Sequence, residues 1–359
     1  MKMKKMTQIA VLVGIIFLLT SEFVFTCTSF ALNHKGYLIF GTNYDNSFAP
    51  GLIFVNKKNV QKTGWEPSTN GKIATWVSKY GSVTFSVAGS HLAWAGMNEA
   101  GLVISTMSLS ETKVSAADER PPLVSPLWMQ YILDTCGSVE EVIEIDRRIR
   151  NSDTRDHYLV CDRKGNGAAL EFLEGKMVYH TQETLPVKVL ANGLYSVCAD
   201  HWKRKAPLTS QPYHSINRFV RAANLMASYQ PKDNKSAIDY AFKILKNVIH
   251  PREELTRWSI VFDTRNFMIY FRSYNNQKIR RIDFKKLDFH CHTPIKMLDV
   301  HQDLSGDISD SFIDYSHEIN LNLTVRAVKN FRPEFEVEKL MPLLQMMERF
   351  PCKSKSPGN

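Results

Sequence analysis

The sequence predicts an α+β fold of two mainly antiparallel sheets packed together, with helices outside. Three observations lead there. Strand-like runs come in groups separated by helix pairs, in the order strands, helices, strands, helices, strands, helix. Apolar and polar residues alternate along several of the strands, as antiparallel pairing requires. The chain has 359 residues, 44% of them hydrophobic and 23% charged, which is ample for a large core and unlike a disordered composition. Length alone suits either two domains or one large one.

In chain order, residues 27–32, 37–43 and 52–55 read as strands, with Asn33-His34-Lys35-Gly36 as a hairpin turn. Residues 82–88 and 101–107 read likewise, and Asn98-Glu99-Ala100-Gly101 turns between apolar runs. Glu119-Arg120-Pro121-Pro122 breaks the pattern. Two helices follow, 125–135 and 139–149, with Ser138 as N-cap of the second. Strands return at 158–161, 168–172 and 177–180, and Leu190-Ala191-Asn192-Gly193 ends another run. Residues 215–229 form a helix, with Ile216, Phe219, Val220, Ala223 and Met226 at helical spacing, and 237–248 form a second. Strands at 258–263, 268–272 and 278–282 come next. Residues 305–319 are polar and read as irregular; 336–350 is a last amphipathic helix and 351–359 a flexible tail.

The beginning of the chain has its own logic. Lys2, Lys4 and Lys5 precede an apolar stretch from Ile9 to Leu19, then Ser21-Glu22-Phe23-Val24-Phe25-Thr26. That is the plan of a secretory signal peptide. Residues 1–26 are expected to be removed, leaving one domain over 27–350 in a secreted or periplasmic protein with no stable membrane span. Cys27 then becomes the first residue. A cysteine attacks as its thiolate, and a free α-amine has a pKa of about 7.7–8.0. One residue can so supply nucleophile and base. Other readings stay open from spacing alone. Ser29-Phe30-Ala31 is a small-x-small site, and cleavage after Ala31 would discard Cys27. A lipidated cysteine is another, which Phe25 suits poorly. An uncleaved anchor is a third, short of the ~20 residues a span needs.

The formal charge is +9; losing residues 1–26 removes three lysines and one glutamate, leaving about +7. This charge is spread along the chain, with no basic block interleaved with aromatics, so nucleic acid is not an expected partner. A basic surface suits anionic substrates or membranes, or simple solubility. Six cysteines, at 27, 136, 161, 198, 291 and 352, are widely spaced without a C-x-x-C. That is far below a disulfide scaffold, although some pairing is open to an exported chain. His290-Cys291-His292 has the look of a metal cluster. Adjacent residues of an extended segment face opposite sides, and no second ligand pair accompanies it, so no metal site is expected.

Several segments, in order, carry a family resemblance: Cys27-Thr28-Ser29-Phe30, Gly41-Thr42-Asn43-Tyr44-Asp45, Gly51-Leu52-Ile53-Phe54-Val55-Asn56, the run from Trp76 to Phe85, Gly96-Met97-Asn98-Glu99-Ala100-Gly101-Leu102, Thr256-Arg257-Trp258-Ser259-Ile260-Val261 and Phe271-Arg272-Ser273. The chain resembles the linear amide C–N hydrolases, the group of choloylglycine hydrolase and penicillin V acylase, with acid ceramidase more distant. The resemblance covers nearly all of the chain after residue 26. It implies an αββα N-terminal-nucleophile hydrolase fold, hydrolysis of a small-molecule amide through a thioester, no metal or organic cofactor, and cleavage before Cys27 rather than after Ala31. A homo-oligomer is left open.

Residue by residue, the resemblance implies Cys27 as nucleophile with its α-amine as proton shuttle, and Asp45 as the carboxylate orienting that amine. Asn192 matches the donor facing the tetrahedral oxyanion, Arg218 the arginine close to the sulfur. Read without it, Asp45 and Asn192-Gly193 are ordinary turn residues. Arg218 is an ordinary solvated arginine, although an arginine in the first turn of a helix opposes the dipole. Two positions depart from the family pattern. Thr42 stands where arginine or lysine is usual, which removes a cation near the nucleophile. Ser108 stands where asparagine or tyrosine is usual; it can still offer a backbone N–H to the oxyanion. The leading expectation is an exported cysteine amidase acting on linear amides. Conjugated bile salts, penicillin V and N-acyl lipids or lactones all remain open as substrates. Thr42 and Ser108 motivate a second reading, a catalytically weak binding protein on the same fold. A third is a Cys–His hydrolase with another cysteine and His157, His180 or His201 as base.

Overall fold

The computed structural model describes residues 27–34, 36–152, 155–250, 252–331, 333, 336–339 and 341–353. The expected signal peptide, residues 1–26, lies outside the described residues. So do positions 354–359 of the expected tail.

Among the described residues, seven strands form one sheet in the spatial order Val189–Ala191, Thr28–His34, Tyr37–Asp45, Thr256–Asp263, Met268–Ser273, Asn276–Asp283, Gly306–Asp307. Every pairing but the last is antiparallel. Nine form the second sheet, in the order Lys176–Thr181, Gly167–Leu173, Asp156–Cys161, Val103–Ser108, Ala95–Asn98, Ser82–Ser86, Leu52–Asn56, Lys296–Asp299, Ile313–Asp314. The expected antiparallel sheets are therefore present.

The sheets pack face to face. Phe85 of the second sheet meets Phe262 and Phe271 of the first edge-on, with centroids 6.3 and 5.3 Å apart. Phe40, Val83, Met97, Leu159 and Ile260 fill the same layer. Each such side chain contributes about 1.5–3 kcal/mol when fully buried. On the opposite face of the first sheet Gly41 is required, since a Cβ there would lie 2.4 Å from Phe30 Cζ. Helices α1 (Ser125–Thr135) and α2 (Val139–Ile143) cover the outer face of the second sheet, placing Trp128, Ile132 and Val142 over Ile104, Tyr158 and Leu170. Ser138 caps α2 through its side chain, as expected. The first sheet is covered by α4 (Ser215–Ala227) and α5 (Asn234–Asn247), with Phe219, Ala223, Ala241 and Leu245 inward. Four layers result, αββα. Central strands such as Ser82–Ser86 are buried along their whole length because both faces are covered.

Several elements differ from the sequence reading. Helix α3 (Tyr195–Lys203) precedes α4 and was not expected; its N-cap, Leu194, offers no side-chain cap. Helix α6 (His317–Phe331) replaces part of the expected irregular stretch. Its inward residues are Asn320, Leu323, Thr324 and Ala327, so half of the buried stripe is polar and hides the apolar period. Helix α7 (Met341–Glu348) is shorter than expected. A hairpin of Gln61–Pro67 with Ile73–Val77 was missed as well. Pro351–Lys353, at the start of the expected tail, are held in place. Gln61 N donates to Pro351 O at 2.8 Å, Lys353 N donates to Asn59 O at 2.7 Å, and Cys352 is disulfide-bonded to Cys291. No helix among the described residues is long and apolar enough to cross a membrane.

Two polar clusters inside the core tie layers together. Lys62, on the hairpin, and Asp134, on α1, are both fully buried and 2.8 Å apart. Trp76 Nε1 and Gln130 Nε2 donate to the same carboxylate at 2.7 and 2.8 Å. Burial lowers the pKa of Lys62, and Asp134 opposes that. Glu171, on the second sheet, accepts from Tyr195 N at 2.8 Å and lies 3.4 Å from His157 Nδ1 and 3.5 Å from His180 Nε2. Burial alone would raise its pKa; these partners win and hold it at about 2.

Lys62→Ala should cost about 3–5 kcal/mol, because it strands a buried carboxylate. Urea denaturation measures this, and a loss below about 1 kcal/mol would refute the account. The Glu171 carboxyl titrates lower folded than unfolded, where about 4.3 is usual. Its stabilisation is therefore complete above that value and is lost as pH falls toward 2. Glu171→Gln should lower the thermal midpoint at pH 7 and flatten the acid limb between pH 5 and 2; an unchanged acid limb would count against it.

Candidate active site

Antiparallel register brings three strand ends together. The Thr28–His34 strand pairs with Tyr37–Asp45 on one side and Val189–Ala191 on the other, with Thr28 opposite both Asn43 and Ala191. The beginning of the central strand must then lie beside the far ends of both neighbours. Cys27 precedes the central strand, Asp45 ends one neighbour and Asn192 follows the other. Three residues far apart in sequence share one edge of the sheet for this topological reason.

Cys27 is buried, 1% exposed, and its Sγ lies 3.9 Å from Asp45 O. Burial, and then the charge of Asp45, push its thiol up to about 12; Arg218 works in the opposite direction. Asp45 is also buried. Arg218 comes from the first turn of α4 and is 1% exposed. Its Nη1 donates to Cys27 O and to Thr28 Oγ1, both at 2.6 Å. Nη2 donates to Asn192 Oδ1 at 3.0 Å and Nε to Tyr213 O at 2.9 Å. Burial lowers its pKa to about 10, with Asp45 opposing, so it stays charged at neutral pH. Arginine in the first turn opposes the helix dipole, and the site explains why it is there.

The arginine also orients Asn192. With Oδ1 held by Arg218, the amide nitrogen faces away, and Nδ2 donates to Ser108 O at 2.8 Å. An asparagine amide carries two N–H groups, which leaves a second for an incoming oxyanion. Ser108 is thus at the site, with its carbonyl toward Asn192. The next backbone N–H, that of Leu109, donates to Arg155 O at 2.6 Å.

Thr42 lies one layer deeper. Ser29 Oγ donates to Thr42 Oγ1 at 2.8 Å, and Thr42 Oγ1 and Ser105 Oγ are 3.0 Å apart. Three buried hydroxyls link the two sheets here. Asn43 is fixed from both ends: its Nδ2 donates to Leu245 O at 2.9 Å, and its Oδ1 accepts from Ser259 Oγ at 2.7 Å.

All five site residues expected from sequence, Cys27, Asp45, Ser108, Asn192 and Arg218, therefore cluster. Sequence reasoning missed Thr28, Ser29 and Ser105 as site partners, and the Tyr213 carbonyl. Thr28 and Ser29 sit in the quoted Cys27 motif; nothing local marks Ser105 or Tyr213. The Cys–His alternative finds little support. His157 and His180 face Glu171, and His201 Nε2 lies 3.0 Å from Pro207 O. Burial pushes Cys136, Cys161 and Cys198 up to about 12. His292 Nδ1 is 3.7 Å from Cys352 Sγ, but that sulfur is bonded to Cys291. Cys291, His292 and Cys352 do come together, through a disulfide that spacing alone could not foresee.

The family model of linear amide C–N hydrolases, choloylglycine hydrolase family, matches residues 27–196 and 204–297. The chain is 24% identical over 258 residues to penicillin V acylase of Pectobacterium atrosepticum, covering 60% of this chain and 69% of that protein. The structure of penicillin V acylase from Agrobacterium tumefaciens aligns with a TM-score of 0.69 at 26% identity, over 81% of this chain and 98% of that one. The R18L variant of conjugated bile acid hydrolase from Clostridium perfringens aligns with a TM-score of 0.64 at 21% identity, over 78% and 98%, a likeness of fold. The matched segments contain Cys27, Asp45, Ser108, Asn192 and Arg218. The chain belongs to the choloylglycine hydrolase family of linear amide C–N hydrolases, enzymes that hydrolyse carbon–nitrogen bonds other than peptide bonds.

Proposed function

We propose that the protein is an exported amidase in which Cys27, once freed as the first residue, attacks the carbonyl of an N-acyl compound. The observation carrying this reading is the Arg218 guanidinium, which donates to both Cys27 O and Asn192 Oδ1. One buried cation so joins the candidate nucleophile to the candidate oxyanion donor. With the thiol pushed up by burial, the sulfur is protonated at pH 7. Attack therefore needs a nearby base, and the α-amine released by cleavage is that base. Asp45 orients it.

The thiol proton passes to the amine and the sulfur adds to the carbonyl carbon. The oxyanion is held by the second N–H of Asn192. The C–N bond breaks as the ammonium returns its proton to the leaving nitrogen, giving a thioester and an amine. Water then adds, again losing a proton to the α-amine, and the acid departs with the thiol restored. No step calls for a metal or organic cofactor. Export is supported by the Cys291–Cys352 disulfide, a bond typical of oxidising compartments. It closes a separation of 61 residues, on the order of 4 kcal/mol of chain entropy. The named relatives act on penicillin V and conjugated bile acids; those, and N-acyl lipids or lactones, are the substrate classes to try.

Mass spectrometry of the secreted protein should find a chain starting at Cys27; a start at Leu32, or an intact leader on active enzyme, refutes the mechanism. On a chromogenic amide panel, Cys27→Ser should lose at least about 10³-fold in turnover with its melting temperature nearly unchanged. Asn192→Ala should lower kcat by about 10²–10³ with little change in KM, and a loss under threefold would remove it from the oxyanion site. A thioester that forms stoichiometrically without turnover on any amide would favour the weak binder instead.

A further inference from the structure

Helix α3 begins just after Asn192 and Gly193, and its own sequence does not cap it. Leu194 stands at the N-cap with no side-chain oxygen to offer. The orphan N–H groups of a helix start need acceptors when buried. One acceptor comes from the other sheet. Glu171 alternates along its strand with Leu170 and Phe172, which pack in the outer layer with Trp128 and Ile132 of α1, so its carboxylate points inward. Its Oε1 accepts from the backbone N–H of Tyr195, the first residue of α3, at 2.8 Å. The carboxyl, held at about 2, is ionised at neutral pH, and negative charge suits a helix N-terminus.

The rest of Tyr195 fixes what lies on either side of Asn192. Its hydroxyl donates to Val187 O at 2.8 Å, just ahead of the strand Val189–Ala191. The residue is 1% exposed, and its ring meets Phe219, the neighbour of Arg218 on α4, edge-on with centroids 5.8 Å apart. The link between these anchors is short and tight. Ala191 pairs with Thr28, and Gly193 N donates to Ala191 O at 2.9 Å. A Cβ on Gly193 would lie 2.9 Å from Ser215 Oγ and 3.3 Å from Cys198 Sγ. Asn192 therefore has little room to shift unless the start of α3 shifts with it. Glu171 ties that start to the second sheet, the same sheet whose Ser108 carbonyl receives the Asn192 amide at 2.8 Å.

We propose that Glu171 is a positioning residue for Asn192. By accepting from Tyr195 N it caps α3 from the facing sheet, and so fixes where the Asn192 amide stands relative to the Ser108 carbonyl and Cys27. It acts through the chain that carries Asn192 and has no part in the bond changes. The inference rests on Asn192 being the oxyanion donor. A displacement on the order of 1 Å at such a donor costs up to about 10² in rate.

The test uses processed protein on a chromogenic amide, below every melting temperature. It compares wild type, Glu171→Ala, Glu171→Gln, Asn192→Ala and the double variant Glu171→Ala with Asn192→Ala. Glu171→Ala should lower kcat by about 10- to 10²-fold with KM little changed. Glu171→Gln loses the charge but keeps an oxygen for Tyr195 N. It should hold kcat within about threefold of wild type even as its melting temperature falls. In the Asn192→Ala background, Glu171→Ala should cost less than about twofold more, because the group it positions is gone. A purely structural glutamate would lower turnover by the same factor with or without Asn192. Equal losses in both backgrounds overturn this inference and spare the oxyanion donor. So does an unchanged kcat in Glu171→Ala while Asn192→Ala is impaired. Full turnover of Asn192→Ala overturns both. Should Glu171→Ala fail to fold, Glu171→Asp replaces it: the charge stays, the oxygen is drawn back from Tyr195 N, and the same dependence on Asn192 is expected.

Discussion

The site depends on one buried guanidinium. Arg218 sits at the start of a helix that packs on the outside of the first sheet, yet its side chain ends among Cys27, Thr28 and Asn192. Removing that charge from water is expensive, and only nearby charge and well-made hydrogen bonds make it tolerable. Both are present: four acceptors surround the fork, and the charge of Asp45 opposes the desolvation. Arginine suits this role better than lysine, because its planar fork reaches several acceptors in fixed directions. The same contacts decide the orientation of Asn192, and so which side of its amide an oxyanion would meet.

Asp45 acts in two opposed senses. It supports the cation of Arg218 and disfavours the anion of Cys27. A site built this way keeps the sulfur protonated until a base is at hand. Under the proposed mechanism, that suits a nucleophile whose base would be the α-amine freed by processing. The hydroxyl cluster of Ser29, Thr42 and Ser105 adds no charge and joins the two sheets.

How legible was this in the sequence? Most strands and the helix pairs were, because apolar alternation and helical spacing are local. The expected Ser138 cap and the apolar face of α4 are both found. Helix α3 was not legible, having no capping side chain, and α6 was not because its buried stripe includes Asn320 and Thr324. At the site, Cys27 stands out from its own neighbours in sequence. Asn192 and Arg218 do not: an Asn-Gly pair reads as a turn and a helical arginine as a solvated one. Their proposed roles came from resemblance to a family, and their proximity came from the fold.

By itself, then, the chain order determined a basic and then apolar stretch followed by a cysteine, grouped strands between helix pairs, and a core large enough for two sheets. The tertiary structure alone decided which distant groups meet. Arg218 reaches a carbonyl 191 positions away, Lys62 an aspartate 72 positions away, and Cys352 a cysteine 61 positions away. The reason is physical. Periodicity and capping act within a few residues, whereas register between antiparallel strands, and the burial that makes a charge find its partner, depend on how whole layers close on one another.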